Sequence, residues 1–161
     1  MATGRGLKGL HFPSLSFLGL SSCETADEDV QYIHPIPLCT LLLEETRVTS
    51  TGVRRMESSI LSTSLRTLSL ANLPSVEQTS LVTHDNEFIF PNLNTLDVIG
   101  TGVDREGLGQ CLKMQLRDVR MSEKQVGQSL PAILQIIPNH CASLSEISIA
   151  GDETERALSS C

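Results

Sequence analysis

Four histidines, five cysteines and nineteen acidic side chains are the raw material for chemistry in this 161-residue chain, and their spacing decides what they can do. Catalysis needs a nucleophile beside a base, paired carboxylates in a cleft, a set of metal ligands or a phosphate cradle. His11, His34, His84 and His140 lie far apart, and His140-Cys141 with Cys111 upstream matches no zinc-ligand spacing. That pair reads as a loop histidine beside a buried cysteine. Gly100-Thr101-Gly102 lacks the further glycines and the lysine of a nucleotide loop, so it reads as a turn. The acidic run Glu24 to Asp29 lacks the alternating oxygen ligands and closing Glu of a calcium loop and reads as a solvated helix start. No Gly-x-Ser-x-Gly elbow occurs. The expectation is a chain without catalytic residues, cofactor or metal.

Composition narrows the partners. Net charge is −7, and the twelve Lys and Arg never form a run longer than Arg54-Arg55. Nucleic acid requires a basic surface to displace phosphate counterions and is not expected. The longest nearly apolar stretch, Leu10 to Leu20, is interrupted by His11, Pro13, Ser14, Ser16 and Gly19, well short of the roughly 18 residues of a spanning helix. No membrane and no small-molecule substrate are expected either. The N-terminus carries neither the h-region of a signal peptide nor a glycine at position 2, and the cysteines are odd in number and scattered. A cytoplasmic location follows as the default, with the nucleus open to it as well.

The elements that must position these residues come from a repeat. Leucine occurs 24 times against four Phe, one Tyr and no Trp, which points to a repetitive core. One pattern returns six times: Leu15-Leu18-Leu20-Cys23, Leu38-Leu41-Leu43-Thr46, Leu65-Leu68-Leu70-Leu73, Leu93-Leu96-Val98-Thr101, Leu116-Val119-Met121-Lys124 and Leu144-Ile147-Ile149-Asp152. Successive starts are 23, 27, 28, 23 and 28 residues apart. Alternating aliphatics make a short half-buried strand, and helix-start signals follow: Asp27 before Val30, the capping-box pair Ser75 and Gln78, Asp104 before Leu108, and Ser122 with Gln125. Each unit reads as strand, turn, helix. His84 to Phe90 and Pro131 to Asn139 lengthen two units and are expected on the convex side or its rim.

The segments LCTLLLEETRVTSTGV (38–53) and LNTLDVIGTGVDREGL (93–108) resemble leucine-rich repeats of the ribonuclease-inhibitor-like and cysteine-containing types. The resemblance covers residues 13 to 152; the fifth unit departs from it at Lys124, and the sixth stops before its return segment. It implies an α/β leucine-rich-repeat solenoid, with about six short parallel strands on the concave side and helices on the convex side. Residues 1–12 are then an N-terminal segment, poorly ordered or a remnant cap, and 13–161 the repeat domain. Because neither end supplies an obvious polar cap, the chain is expected to be part of a longer protein.

Strand periodicity turns the variable positions toward the concave face, where Phe17, Leu42, Glu44, Ser69, Asp97, Ile99, Asp118, Arg120 and Glu146 are the candidate protein-binding residues. Phe17, Leu42 and Ile99 are expected as exposed apolar points on a mildly acidic surface suited to a peptide or protein segment with basic and apolar side chains. FPNLNTLDVIGTGV (90–103) and LSEISIAGDE (144–153) resemble repeats of Zyg-eleven-type receptors of cullin ligases and, less closely, F-box receptors. That resemblance implies the substrate-recognition part of a ubiquitin ligase, with a cullin adaptor as partner. The alternative is a structural or regulatory scaffold of the ribonuclease-inhibitor-like or innate-immune kind. The repeat register predicts that Leu68→Asp or Leu96→Asp unfolds the domain, each placing an unpaired charge in the stacked core, while Ser69→Asp leaves folding nearly unchanged. Circular dichroism melting curves of the three variants check this.

Overall fold

The computed structural model describes residues 12–83, 85, 87–112, 116–126 and 144–151. Six strands form at the centres of the six repeat instances: β1 Phe17–Gly19, β2 Thr40–Leu42, β3 Thr67–Ser69, β4 Thr95–Asp97, β5 Asp118–Ser122 and β6 Glu146–Ala150. They make one open α/β sheet in the order β1-β2-β3-β4-β5-β6, every neighbouring pair parallel. The register aligns the same repeat position throughout: Leu18, Leu41, Leu68, Leu96, Val119 and Ile147 lie side by side. Leu41, Leu68, Leu96 and Val119 are completely buried, whereas Leu18 and Ile147, on the two edge strands, are only partly so. Each fully buried leucine contributes about 2 kcal/mol of apolar transfer free energy, and a three-residue strand has no other means of burying one.

After each of the first four strands the ladder continues by one more bond, from the N–H of Leu20, Leu43, Leu70 and Val98 to the carbonyls of Leu42, Ser69, Asp97 and Arg120. The chain then turns through a residue with left-handed backbone: Ser22 (φ 57°), Glu45 (φ 55°), Asn72 (φ 59°) and Gly100 (φ 68°). These corners are also bonded to one another, since the N–H of Ser22, Glu45 and Asn72 donates to Glu44, Ala71 and Ile99 O of the next unit. One residue later, the hydroxyls of Thr46 and Thr101 donate to Leu43 O and Val98 O at 2.8 Å and accept from the N–H of Val48 and Val103. Cys23, at the same place, engages the loop through its backbone N–H to Leu20 O.

The return segments are short: α1 Ser50–Arg55, α2 Ile60–Ser64, α3 Arg105–Leu112 and α4 Glu123–Val126, with 3-10 turns at Val30–Tyr32 and Gln78–Ser80. Two of the expected caps form. Asp104 accepts from Gly107 N–H, and Ser122 and Gln125 make the reciprocal bonds of a capping box. The other two do not. Asp27 points away from Val30 and accepts from both the N–H (2.7 Å) and the hydroxyl (2.6 Å) of Thr49, the N-cap of α1 in the next unit. Ser75 gives its carbonyl to Ser50, whose hydroxyl accepts from Glu77 N–H, and Gln78 reaches Asp104 instead. In both places contact with the neighbouring unit outcompetes the local cap.

The lengthened third unit also departs from expectation. Val82 and Phe88 form an antiparallel bridge, and Phe88, Ile89 and Phe90 are buried, the two rings edge to face with centroids 5.9 Å apart. This insertion feeds the core instead of decorating a rim, because three successive apolar side chains gain more by burial than the solvated position would allow. Phe12, assigned from the sequence to the N-terminal segment, packs against the same core. Residues 1–11 and the second insertion, 131–139, lie outside the described residues.

Gly100 and Gly19 give a matched test of the corner geometry. A Cβ at Gly100 would stand 2.6 Å from Asn72 Oδ1 on a left-handed backbone, whereas one at Gly19 meets nothing nearer than 3.6 Å. Gly100→Ala is expected to cost about 1–2 kcal/mol in urea denaturation, and Gly19→Ala to leave stability within about 0.5 kcal/mol.

Candidate functional site

Several of the groups that suggested chemistry are engaged in the fold. In the Gly100-Thr101-Gly102 loop the N–H of Thr101 donates to Val98 O and that of Gly102 to Val76 O at 2.8 Å, which is the bonding of a turn. The Glu24 to Asp29 run does lead into the 3-10 turn at Val30–Tyr32, but it is only partly solvated: Asp27 holds Thr49, Asp29 is buried with Oδ2 accepting from Ala26 N–H, and Glu24 lies 3.8 Å from Arg47. Burial pushes the Cys111 thiol up to about 12, so it stays protonated. Burial first and the Arg55 charge second lower the His34 pKa, which keeps this imidazole neutral at physiological pH. Among the described residues no group of three or more His, Cys, Asp or Glu converges to hold a metal ion, and no helix is long and apolar enough to cross a membrane. His11, His84, His140, Cys141 and Cys161 lie outside them.

What remains is the face of the sheet turned away from the leucines. Alternation along the strands sorts its side chains into rows that cross the sheet. One row is Phe17, Thr40, Thr67, Thr95, Asp118 and Glu146; the next is Gly19, Leu42, Ser69, Asp97, Arg120 and Ser148. Beyond them stand Ser21, Glu44, Ala71, Ile99, Ser122 and Ala150.

All nine candidate residues lie on or beside this face, but their exposure divides them. Phe17 is 57% exposed. Leu42 and Ile99, expected as exposed apolar points, are only half-exposed. Ser69 and Asp97 are buried, at 4% and 6%, because longer neighbours close over them. Glu44 extends from β2 across the sheet and accepts from Ser69 Oγ at 2.7 Å and from Ser21 Oγ at 3.3 Å. From β5, Arg120 covers Asp97 with an Nη1 to Oδ2 distance of 3.2 Å. Strand alternation assigns a side chain to a face; whether water reaches it depends on the length of the side chains one strand away.

The electrostatics follow from that cover. Asp97 has a raised pKa, chiefly through burial and also through the nearby Glu44 charge, opposed by the Ile99 N–H bond and by Arg120. Further along, Asp118 accepts from Thr95 Oγ1 (3.2 Å) and Ser145 Oγ (3.0 Å), and Glu146 accepts from Ser148 Oγ (3.0 Å). Sequence reasoning did not single out Ser21, Thr95 and Ser145 as partners of these acids. Their only signal is a hydroxyl placed within reach of a carboxylate on the adjoining strand, visible once the register is known.

Comparison with protein-family models returned no match, and comparison with curated proteins returned no relative.

The cover over Ser69 reverses one expectation. An added carboxylate there stands between Glu44 and Asp97, so Ser69→Asp is expected to destabilise by about 2 kcal/mol or more at neutral pH. Ser69→Ala, losing one bond to Glu44, should cost about 1 kcal/mol. The excess cost of Asp over Ala should shrink as pH falls through the raised Asp97 pKa, since protonation removes that repulsion. Urea denaturation at pH 7.5 and pH 4.5 measures both effects.

Proposed function

We propose that this chain is a leucine-rich-repeat solenoid without catalytic activity that binds a protein segment on the open face of its sheet. The observation that carries this reading is the six-strand register: every unit contributes the same positions to one continuous face built from side chains of mixed apolar, hydroxyl and acidic character. Adding one strand at a time in a single direction widens such a surface without altering the core beneath it. Recurrence of the left-handed corner at Ser22, Glu45, Asn72 and Gly100, 23, 27 and 28 residues apart, supports the repeat.

Within that class, the resemblance of segments 90–103 and 144–153 to Zyg-eleven-type receptors favours target recognition for a cullin-type ubiquitin ligase in the cytoplasm or nucleus. A structural or immune-sensor scaffold of the same architecture is the competing reading.

Affinity purification of the tagged chain from its native cells, read by mass spectrometry, separates them. A Thr67→Arg variant, which plants a long cation at the centre of the face, is run beside it with its folding checked by melting. Elongin or Skp together with a cullin in both samples, and loss of the remaining partners from the variant alone, is the expected pattern. Partners without any adaptor would favour the scaffold, and partners indifferent to Thr67→Arg would remove the open face from the account.

A further inference from the structure

Two side chains set the character of the open face. The first is Phe17. Its ring leans over Gly19: Cε1 and Cζ lie 3.6 and 3.8 Å from where a Gly19 Cβ would be, and Leu42 Cδ1 borders the same point at 4.0 Å. With 57% of the residue exposed, the ring and Leu42 flank a patch that glycine leaves open to water. The second is Glu44. Its two oxygens are fixed by hydroxyls of Ser69 and Ser21, on β3 and just beyond β1, yet among the described residues no cation pairs with it. Across the strand positions of this face the acids are Glu44, Asp97, Asp118 and Glu146, and the sole base, Arg120, is engaged with Asp97.

Resting on the reading of this face as a protein-binding surface, we propose that it takes an extended segment running across the strands, with a large apolar or aromatic side chain on the Phe17–Leu42 platform and a Lys or Arg on the Glu44 carboxylate. Charge complementarity selects the basic residue, because four acids against one base disfavour an acidic segment. A planar guanidinium suits a carboxylate whose oxygens are already oriented. Geometry sets the spacing. Strands lie about 4.8 Å apart and residues along a strand about 3.3 Å, so Glu44, one strand across from Gly19 and two residues beyond Leu42, stands diagonally about 8 Å from the platform. Alternate side chains of an extended segment face the sheet at about 7 and 13 Å, which places the basic residue two or four positions from the apolar one.

Selection of a phage-displayed random peptide library on the full chain, followed by fluorescence anisotropy with a labelled synthetic copy of an enriched sequence, tests this. Enriched sequences are expected to pair an aromatic or large aliphatic residue with Lys or Arg at that spacing. Phe17→Ser and Glu44→Gln, neither of which disturbs the core, should each weaken binding about tenfold, a loss of hot-spot size. Arg120→Ala, which removes the competing cation, should tighten it about two- to fivefold, the scale of a surface ion pair. Acidic enriched sequences, no enrichment at all, or affinity unmoved by Phe17→Ser and Glu44→Gln would overturn the proposal. If that unmoved binding is nevertheless abolished by Thr67→Arg, the binding-face reading survives without these two subsites; if Thr67→Arg also has no effect, both readings fall.

Discussion

The structure depends on one packing contact repeated from strand to strand: the aliphatic side chain at the second position of each short strand resting on its counterpart next door. Leu41, Leu68, Leu96 and Val119 have no exposure because each has a neighbour on both sides, and Leu18 and Ile147 keep some because each has one. Stability therefore accumulates along the sheet instead of around a centre. Parallel ladder bonds enforce the alignment, since a slip by one residue would turn every leucine to the water side. The same constraint fixes the opposite face, where whatever occupies the flanking positions is held in straight rows across the sheet.

Keeping that alignment through five crossings requires the strands to end alike, and the corners after the first four supply the uniformity. Three of the four left-handed residues are not glycine, at a conformational cost of about 1 kcal/mol each. Side-chain bonds to a neighbouring corner offset it: Ser22 Oγ donates to Glu45 Oε2 at 2.7 Å, and Asn72 Nδ2 reaches Glu45 Oε1 at 3.5 Å. The fifth unit solves the problem differently. It has Lys124 where a hydroxyl or thiol would stand, β5 runs directly into α4, and Gln125 Nε2 reaches back to Val98 O at 2.7 Å and Thr101 Oγ1 at 3.0 Å. An amide from the following unit thus joins the threonine in closing the fourth corner.

On the open face the same geometry crowds charge. Ser69 and Asp97 sit in register between the longer side chains of Glu44 and Arg120, so a hydroxyl and a carboxylate that alternation sends toward water end under cover. The arrangement leaves the face uneven from one edge to the other. Near β1 it is aromatic and backed by glycine, over β3 it offers a fixed carboxylate, and toward β5 and β6 it becomes a string of acids bonded to hydroxyls. A segment crossing the strands would meet these environments in order.

The sequence by itself determined the period, because leucine at a fixed triplet spacing has no use except in a strand with one buried face. It therefore located all six strand centres and the turn threonines Thr46 and Thr101. Two local signals were strong enough to survive unaided, the Asp104 cap and the Ser122 and Gln125 box, since each closes within its own turn. Tertiary structure decided what depended on the neighbouring unit. Asp27 serves the next unit and Ser75 the preceding one instead of their own helix starts, Phe88 to Phe90 fold into the core, and Ser69 and Asp97 lose their solvent. The physical reason is range: alternation and capping act over a few residues along the chain, whereas the outcomes at Asp27, Ser75, Ser69 and Asp97 turn on partners 22 to 25 positions away that only the stacked register brings within reach.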